Sequence, residues 1–257
     1  MSFLSTNEKT GQSYDFGICP MMKKVADKYK ATCGVEKCYA AQLLNGHRAK
    51  KIRPKFEIGL RKEIQNMPKE VAIANATAGF EENPLIRGFS FADYIPEKKE
   101  EFLHIVRTIN YRHIVISKTL WLFGDRELIK EVGEKTTLSL GFTKKLYPKF
   151  KKFYEANKDL KFSVAYTINN VDELKWLAKK DPELLAEIDV LHTSETHFKM
   201  PRLNNKGYTK AMLNHLKEIE EVSPVLRMKL CNMYGEKELN KKGCKDCSGC
   251  AQISRAR

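Results

Sequence analysis

The seven cysteines are the residues of this chain best suited to chemistry, and they fall into two groups. The first group consists of Cys19, Cys33 and Cys38. As thiolates they suit an iron–sulfur cluster or zinc, and three ligands leave one iron of a cubane cluster, or one zinc position, open. A substrate or cofactor can bind there, so the group predicts a reactive centre. Burial as small apolar residues is the alternative, which the polar, glycine-containing stretch around Cys33 and Cys38 disfavours.

The second group lies near the C-terminus and consists of Cys231, Cys244, Cys247 and Cys250. The last three follow a C-x2-C-x2-C pattern in a stretch rich in Gly and Lys. Short turns of this kind bring three sulfurs to one point, and a fourth cysteine closes the coordination sphere. The group therefore predicts a structural or electron-transfer centre, for which a [4Fe–4S] cluster and tetrahedral zinc are competing occupants.

A histidine pair is the main candidate outside the cysteines. His192 and His197 flank Ser194 and Glu195 directly after a predicted strand. Such a set can ligate a metal or transfer protons. The separation of the two histidines does not put them on one helical face, so a shared metal would need a loop. Asp93, which follows another predicted strand, joins His192 and His197 as a candidate catalytic residue.

Short apolar runs alternate with amphipathic segments along the chain. Runs rich in Val, Ile, Phe and Thr predict strands at 14–18, 71–74, 86–91, 113–117, 137–140, 162–166 and 188–191. Apolar residues at helical spacing predict one helix after Pro96, one around Phe150 and one after Asn170, which is placed to cap it. Strands that alternate with helices pair in parallel.

This alternation predicts an α/β fold, namely a partial or complete parallel β/α barrel with a small C-terminal cysteine-rich metal-binding extension. The predicted boundary divides residues 1–225, the barrel-like domain with the three-cysteine site, from the extension at 226–257. A doubly wound open sheet is the alternative architecture. In both, chemistry gathers at the C-terminal ends of the strands, and Cys19 stands at the end of the first predicted strand.

Composition narrows the class of partner. The chain has 46 Lys and Arg against 32 Asp and Glu, a net charge of +14, which favours a nucleic acid, a nucleotide or another anionic molecule. Lysines that merely coat amphipathic helices are the alternative. No apolar run approaches the ~20 residues that span a bilayer, so no membrane partner is expected. The start of the chain lacks the features of a secretory signal, and seven cysteines fit metal ligation in the cytoplasm.

Several elements carry a resemblance to a known family. Cys19-Pro20, Cys33 and Cys38-Tyr39-Ala40, at the start of a β/α-alternating chain, resemble radical S-adenosylmethionine (SAM) enzymes. With the cysteines at 244–250, they more closely resemble the largely phage-encoded radical-SAM-like proteins. The segment 86–94 (IRGFSFADY) is similar to a strand-plus-Asp element of that group. The resemblance spans most of the chain in order, and the cysteine frames are its specific part.

The resemblance implies that the first three cysteines hold a [4Fe–4S] cluster whose fourth iron is chelated by SAM. Reduction by an electron donor would then cleave SAM to a radical that abstracts hydrogen from a substrate. Ser90, Ser139 and Thr167 lie at the ends of predicted strands, and this position makes them candidate SAM or substrate contacts, with a helix cap or loop residue as the alternative for each. The spacing here is C-x13-C-x4-C rather than C-x3-C-x2-C, and no Gly-Gly-Glu-like element follows the second strand. Cluster binding is therefore better supported than SAM cleavage.

Three functions compete at this stage. The first is a radical-SAM-like iron–sulfur enzyme that modifies a nucleic acid, nucleotide or other anionic substrate. The second is a protein in which iron–sulfur or zinc centres knit a nucleic-acid-binding surface without catalysis. The third is a metal-dependent hydrolase using the region of His192 and His197. The division into three and four cysteines favours the first, because a purely structural site has no use for an open position.

Overall fold

The computed structural model describes residues 4–7, 11–14, 19–21, 29–30, 32–35, 85–89, 93–109, 112–193, 218–219 and 221–222. The predicted strand at 71–74 and the predicted extension at 226–257 lie outside these ranges.

Seven strands of the described chain form one sheet. They are β1 (Leu4–Asn7), β2 (Gly11–Tyr14), β3 (Leu85–Gly88), β4 (Arg112–Ser117), β5 (Thr137–Thr143), β6 (Ser163–Ile168) and β7 (Ile188–Thr193). Their order across the sheet is their order along the chain. The β1–β2 pair is antiparallel, and every pair from β2 to β7 is parallel. β2 ends at Tyr14, where the sequence predicted its strand to begin.

Helices cover the connections between the later strands. They are α1 (Lys99–Thr108), α2 (Leu120–Phe123), α3 (Arg126–Lys135), α4 (Tyr147–Ala156), α5 (Val171–Lys180) and α6 (Pro182–Ala186). A 3-10 turn at Pro96–Lys98 leads into α1. The predicted cap of α5 is confirmed, because the Asn170 side chain accepts a hydrogen bond of 3.2 Å from the Glu173 amide.

The prediction of an α/β fold with a parallel sheet is confirmed. From β3 to β7, helices alternate with strands that lie side by side in chain order. A doubly wound sheet needs a reversal of strand order, and the described strands contain none. The sheet is therefore compatible with part of a β/α barrel.

Aromatic side chains fill the space between the sheet and its helices. The ring of Phe142 on β5 stacks on Phe150 of α4, with centroids 4.4 Å apart, and on Tyr166 of β6 at 4.7 Å. All three are fully buried. Because side chains alternate along a strand, Leu138, Leu140 and Phe142 share this side of β5. We call it the helix face; the opposite side of the sheet is the inner face.

Candidate functional site at the C-terminal edge of the sheet

The parallel strands all end at one edge of the sheet, where the predicted site residues Cys19 and Asp93 lie together with Lys118 and Asn169. Cys19 follows β2, Asp93 follows β3, Lys118 directly follows β4 and Asn169 directly follows β6. The sequence argument expected chemistry at this edge because the carboxyl ends of parallel strands converge. We call it the C-terminal edge.

Asp93 ties the exits of β3 and β4 together. Its Oδ1 accepts hydrogen bonds from Ser117 Oγ at 2.5 Å and from the Tyr94 amide at 2.8 Å, and it lies 2.8 Å from Thr119 Oγ1. Its Oδ2 accepts from the Lys118 amide at 2.8 Å. The carboxylate is buried, so these donors replace its hydration. Asp93, the predicted catalytic residue, therefore also has a structural role, because it holds the ends of β3 and β4 together.

Phe89, a few residues before Asp93, has a strained backbone conformation. Phe89, directly after β3, has a φ of 66°, a left-handed conformation that costs a bulky residue on the order of 1–3 kcal/mol. Its amide donates to the Tyr14 carbonyl at 2.9 Å, and its ring packs against Phe102 with centroids 5.2 Å apart. These contacts hold Phe89 in this conformation at the end of β3.

Cys19 is set in an environment that disfavours its thiolate. Burial raises the pKa of the Cys19 thiol well above its usual value, and the nearby carboxylate of Asp93 and thiol of Cys33 raise it further. A hydrogen bond with the Met21 backbone and the ammonium of Lys118 act in the opposite direction. Cys19 and Cys33 thus share one electrostatic neighbourhood, although they belong to separate segments of the chain.

The loop that carries Cys33 is fastened to the ends of β5 and β6. Thr143 Oγ1, at the end of β5, donates to the Cys33 carbonyl. Asn169 Nδ2 donates to the Gly34 carbonyl at 3.0 Å. Gly34 has a φ of +72°, and a Cβ there would lie 3.1 Å from the Cβ of Lys145, so glycine suits this close approach. The cysteine loop therefore rests on the C-terminal edge.

The inner face of β5 and β6 contains hydroxyl groups that lack partners. Ser139 and Thr167 are each only 6% exposed, and neither side-chain oxygen has a hydrogen-bond partner among the described residues. An unsatisfied buried hydroxyl costs roughly 1–3 kcal/mol. The sequence predicts Ser139 near the end of a strand. In the structure it lies within β5, because the strand continues through Gly141 to Thr143.

Small side chains separate these two hydroxyls along the inner face. Between them lie Gly141 and Ala165, which pair in the register of β5 and β6. Ala165 and Val190 form an apolar cluster of their own, separate from the large core of the helix face. A Cβ on Gly141 would lie 3.1 Å from Lys118 Cγ, so the Lys118 stem crosses this glycine. Branched bulky residues normally fill a barrel interior, and on β5 and β6 small residues stand in their place.

The structure brings some predicted site residues together and is silent on others. His192 pairs with Thr167 in the register of β6 and β7, and so lies on the inner face near the C-terminal edge. The predicted site residues outside the described ranges are Cys38, Ser90, Ser194, Glu195, His197, Cys231, Cys244, Cys247 and Cys250. Sequence reasoning missed Thr143, Gly34 and Gly141, and only the small-residue pattern of β5 hinted at the last.

The described residues include only some of the candidate metal ligands. Among those residues, no three His, Cys, Asp or Glu side chains are grouped closely enough to hold a metal ion. Cys19 and Cys33 are the described members of the N-terminal cysteine group, and both are partly buried and packed against the main core. The third member, Cys38, is needed to complete a three-thiolate site.

Two further findings bear on function. Within the described part of the chain, no helix is both long and apolar enough to cross a membrane. Comparisons with known protein families, curated proteins and solved structures find no match to this chain, so the geometry of the C-terminal edge and the sequence motifs carry the functional argument.

Proposed function

We propose that this chain is an iron–sulfur enzyme of the radical-SAM type, built on a β/α barrel to which the described sheet belongs. One observation carries the proposal. Cys19 and Cys33, from separate segments, lie at the C-terminal edge of a sheet whose inner face contains the buried hydroxyls of Ser139 and Thr167, which have no hydrogen-bond partner among the described residues. A cysteine pair at the edge of a sheet with unsatisfied polar groups fits a metal-bound ligand better than a packed structural core.

The residues present fit the proposed cofactors. Cys19, Cys33 and Cys38 would ligate three irons of a [4Fe–4S] cluster, and Ser139 and Thr167 offer hydroxyls to a polar ligand such as SAM on the inner face. When bound, the cluster and SAM together supply one-electron chemistry that removes a hydrogen atom from a substrate.

The chain's own groups would position and protect that chemistry. Asp93 fixes the exits of β3 and β4, and through them the place of Lys118 beside Cys19. Cys19 would ligate the cluster as a thiolate, so its buried thiol, which retains its proton in this setting, would have to give that proton up. The positive charge of Lys118 offsets part of the charge of the thiolates. His192, on the inner face, is placed to exchange a proton with a substrate.

The second cysteine group fits a supporting centre. Cys231, Cys244, Cys247 and Cys250 supply four ligands, which suits either a [4Fe–4S] cluster that passes electrons or a structural zinc. An electron donor is then a required partner. The net charge of +14 favours an anionic substrate, and the cysteine content favours a reducing cytoplasm.

Metal analysis of the anaerobically purified protein tests the proposal. Iron, sulfide and zinc are measured per chain, and the visible spectrum is followed while SAM is added after reduction. About eight irons, or about four irons with one zinc, together with a spectral change on adding SAM, is the expected result. Zinc alone without a response to SAM would overturn it and leave a metal-knit nucleic-acid-binding protein as the better account.

Paired cysteine variants assign the two centres. Cys38→Ala should remove one cluster, about four irons, and abolish SAM cleavage. The matched variant Cys247→Ala should spare the SAM response and instead lower stability or shift a reduction potential. Full iron content in Cys38→Ala would show that the N-terminal cysteines do not hold the cluster.

A further inference from the structure

A stretch of chain without acidic residues lies beside the cysteine loop. No Asp or Glu occurs between Glu134 and Glu155, whereas six lysines do. Three of these, Lys145, Lys149 and Lys152, are exposed on the turn after β5 and on the outer side of α4. We call these three residues the lysine rim.

The lysine rim is adjacent to the candidate site. Lys145 follows the end of β5 by two residues, and its side chain faces Gly34 of the cysteine loop, where a Cβ would come within 3.1 Å of it. Thr143, at the end of the same strand, holds the Cys33 carbonyl. Lys149 lies in the first turn of α4, which begins at this edge, and Lys152 is one turn further along the helix.

The rim lysines have no partner in the described chain, whereas several other basic residues near α4 and on α1 are paired. Elsewhere Lys99 pairs with Asp125 at 2.6 Å and Arg107 with Glu131 at 2.6 Å. Even the neighbours of the rim are engaged: Lys144 lies 5.1 Å from the centre of the Trp176 ring, and Lys151 pairs with Asp181 at 2.7 Å. Across the described residues, the rim lysines form no ion pair and no side-chain hydrogen bond.

This arrangement is unfavourable for the helix on its own. Cations near a helix N-terminus oppose the helix dipole, and like charges three residues apart repel each other. The other ten-residue helices, α1, α3 and α5, carry acidic residues in their first turn, and α4 carries none. A sequence that breaks such a local preference on an exposed surface points to a partner of opposite charge.

We infer that the lysine rim binds the phosphate backbone of a nucleic acid strand, so that a nucleotide of that strand reaches the C-terminal edge. This rests on the proposed function, whose substrate class it names. Spaced lysine point charges suit successive phosphates, which give up condensed counterions on binding. The exposed positions of α4 hold Pro148, Lys149, Lys152, Glu155 and Ala156, and without a large apolar residue they do not suit insertion into a lipid surface.

Binding of a labelled oligonucleotide tests the inference. The probe is a fluorescein-labelled single strand of twenty mixed nucleotides, titrated with the anaerobically purified full chain between 50 and 200 mM salt. The triple variant Lys145→Glu, Lys149→Glu, Lys152→Glu is compared with Lys130→Glu, Lys135→Glu, Lys161→Glu, which changes net charge equally at exposed lysines elsewhere. The rim variant should bind at least about tenfold more weakly and lower the salt slope by about 2, from three lost contacts.

The control and competitor arms decide the outcome. If both triple variants bind the oligonucleotide equally weakly, the loss of affinity comes from net charge alone and the inference is overturned. It is also overturned if the wild type fails to bind the strand, or if a polyglutamate peptide competes as well as an unlabelled oligonucleotide. Iron content and the SAM response are measured on the same samples. If the protein binds the strand through the rim but contains no iron, the enzyme proposal is overturned and the nucleic-acid-binding surface stands. If it responds to SAM but does not bind the strand, the surface is overturned and the enzyme proposal stands.

Discussion

The two faces of the sheet differ in what they are built to do. On the helix face, β5 and β6 present Phe142 and Tyr166, which stack with Phe150 in a dry aromatic layer. On the inner face the same strands present Ser139, Gly141 and Ala165 together with unsatisfied hydroxyls. Burial of large apolar side chains stabilises the fold, whereas small and polar side chains leave room and hydrogen-bonding groups for a ligand. Alternation along the same strands therefore places large apolar side chains on one face of the sheet and small or polar side chains on the other.

The sharpest test of this contrast removes the aromatic layer. Phe142→Ala should lower the free energy of unfolding by about 3–5 kcal/mol, because it deletes a fully buried ring and leaves a cavity. Val190→Ala, on the inner face, should cost less, on the order of 1–2 kcal/mol from lost methyl groups. Denaturant unfolding of both variants measures the difference. Equal losses would mean that the inner face is as tightly packed as the helix face.

A buried histidine on the helix face, His113, should make the stability of the fold depend on pH. Burial lowers the pKa of His113 to about 3, while its Nε2 lies 2.9 Å from the Tyr14 hydroxyl. The folded chain keeps this ring neutral when the unfolded chain, with a pKa near 6.5, takes up a proton. Stability should therefore be fully present above about pH 6.5 and fall towards pH 3, by at most about 1.4 kcal/mol per pH unit.

His113→Gln removes this titration, so its unfolding free energy should fall less steeply between pH 7 and pH 5 than that of the wild type. His104→Gln, at an exposed position of α1, is the matched control and should keep the wild-type dependence. Parallel curves for wild type and His113→Gln would contradict the assignment of a buried neutral ring.

Substitution of two glycines compares how much space is available on the helix side and on the inner face of the sheet. A Cβ on Gly133 of α3 would lie 2.2 Å from the Lys161 backbone oxygen, which has no room to move. Gly133→Ala should therefore cost about 1–3 kcal/mol of unfolding free energy. Gly141→Ala meets only the flexible stem of Lys118 at 3.1 Å and should cost less than about 1 kcal/mol. The reverse order, measured by denaturant unfolding, would mean that Lys118 is held rigidly.

The smallest expected effect comes from the unsatisfied hydroxyls. Ser139→Ala and Thr167→Val should leave the free energy of unfolding unchanged or raise it by up to about 1 kcal/mol, because each removes a buried group without a partner. Ser163→Ala is the control: its hydroxyl donates to the Leu138 carbonyl at 3.3 Å, so its loss should destabilise the fold slightly. Clear destabilisation in Ser139→Ala would show that its hydroxyl is satisfied after all.

The sequence predicted the helix face better than the site. Runs such as residues 113–117 and 162–166 gave the strands of β4 and β6 because branched and aromatic residues fit a buried sheet. The predicted strand at 137–140 ends too early, because β5 continues through Gly141 to Thr143. In the fold, the Gly141 carbonyl accepts a bond of 2.8 Å from Trp121 Nε1, and the strand continues. Local patterns do not contain that long-range contact.

The hydrogen bonds that hold the loop carrying Cys33 could not be predicted from the sequence either. Thr143 meets Cys33 across 110 positions of the chain, and Asn169 meets Gly34 across 135. Nothing in the residues near Cys33 indicates which strand will receive them. The parallel sheet itself was predictable, and with it the edge at which the strands end, because that rule depends on topology rather than on individual partners.

These long separations set an order of assembly. Contacts among β5, β6 and β7 bridge about 25 positions, as between Ser163 and Leu138 or between the Val164 amide and Asp189. Segments with local contacts form before those that must close long loops. We therefore expect the β3–β7 block to form first and to act as a template on which the segments carrying Cys19 and Cys33 dock. If the proposed cluster binds at these cysteines, it would be inserted after the sheet has folded, and a chain made without iron would keep a folded sheet with an unoccupied C-terminal edge.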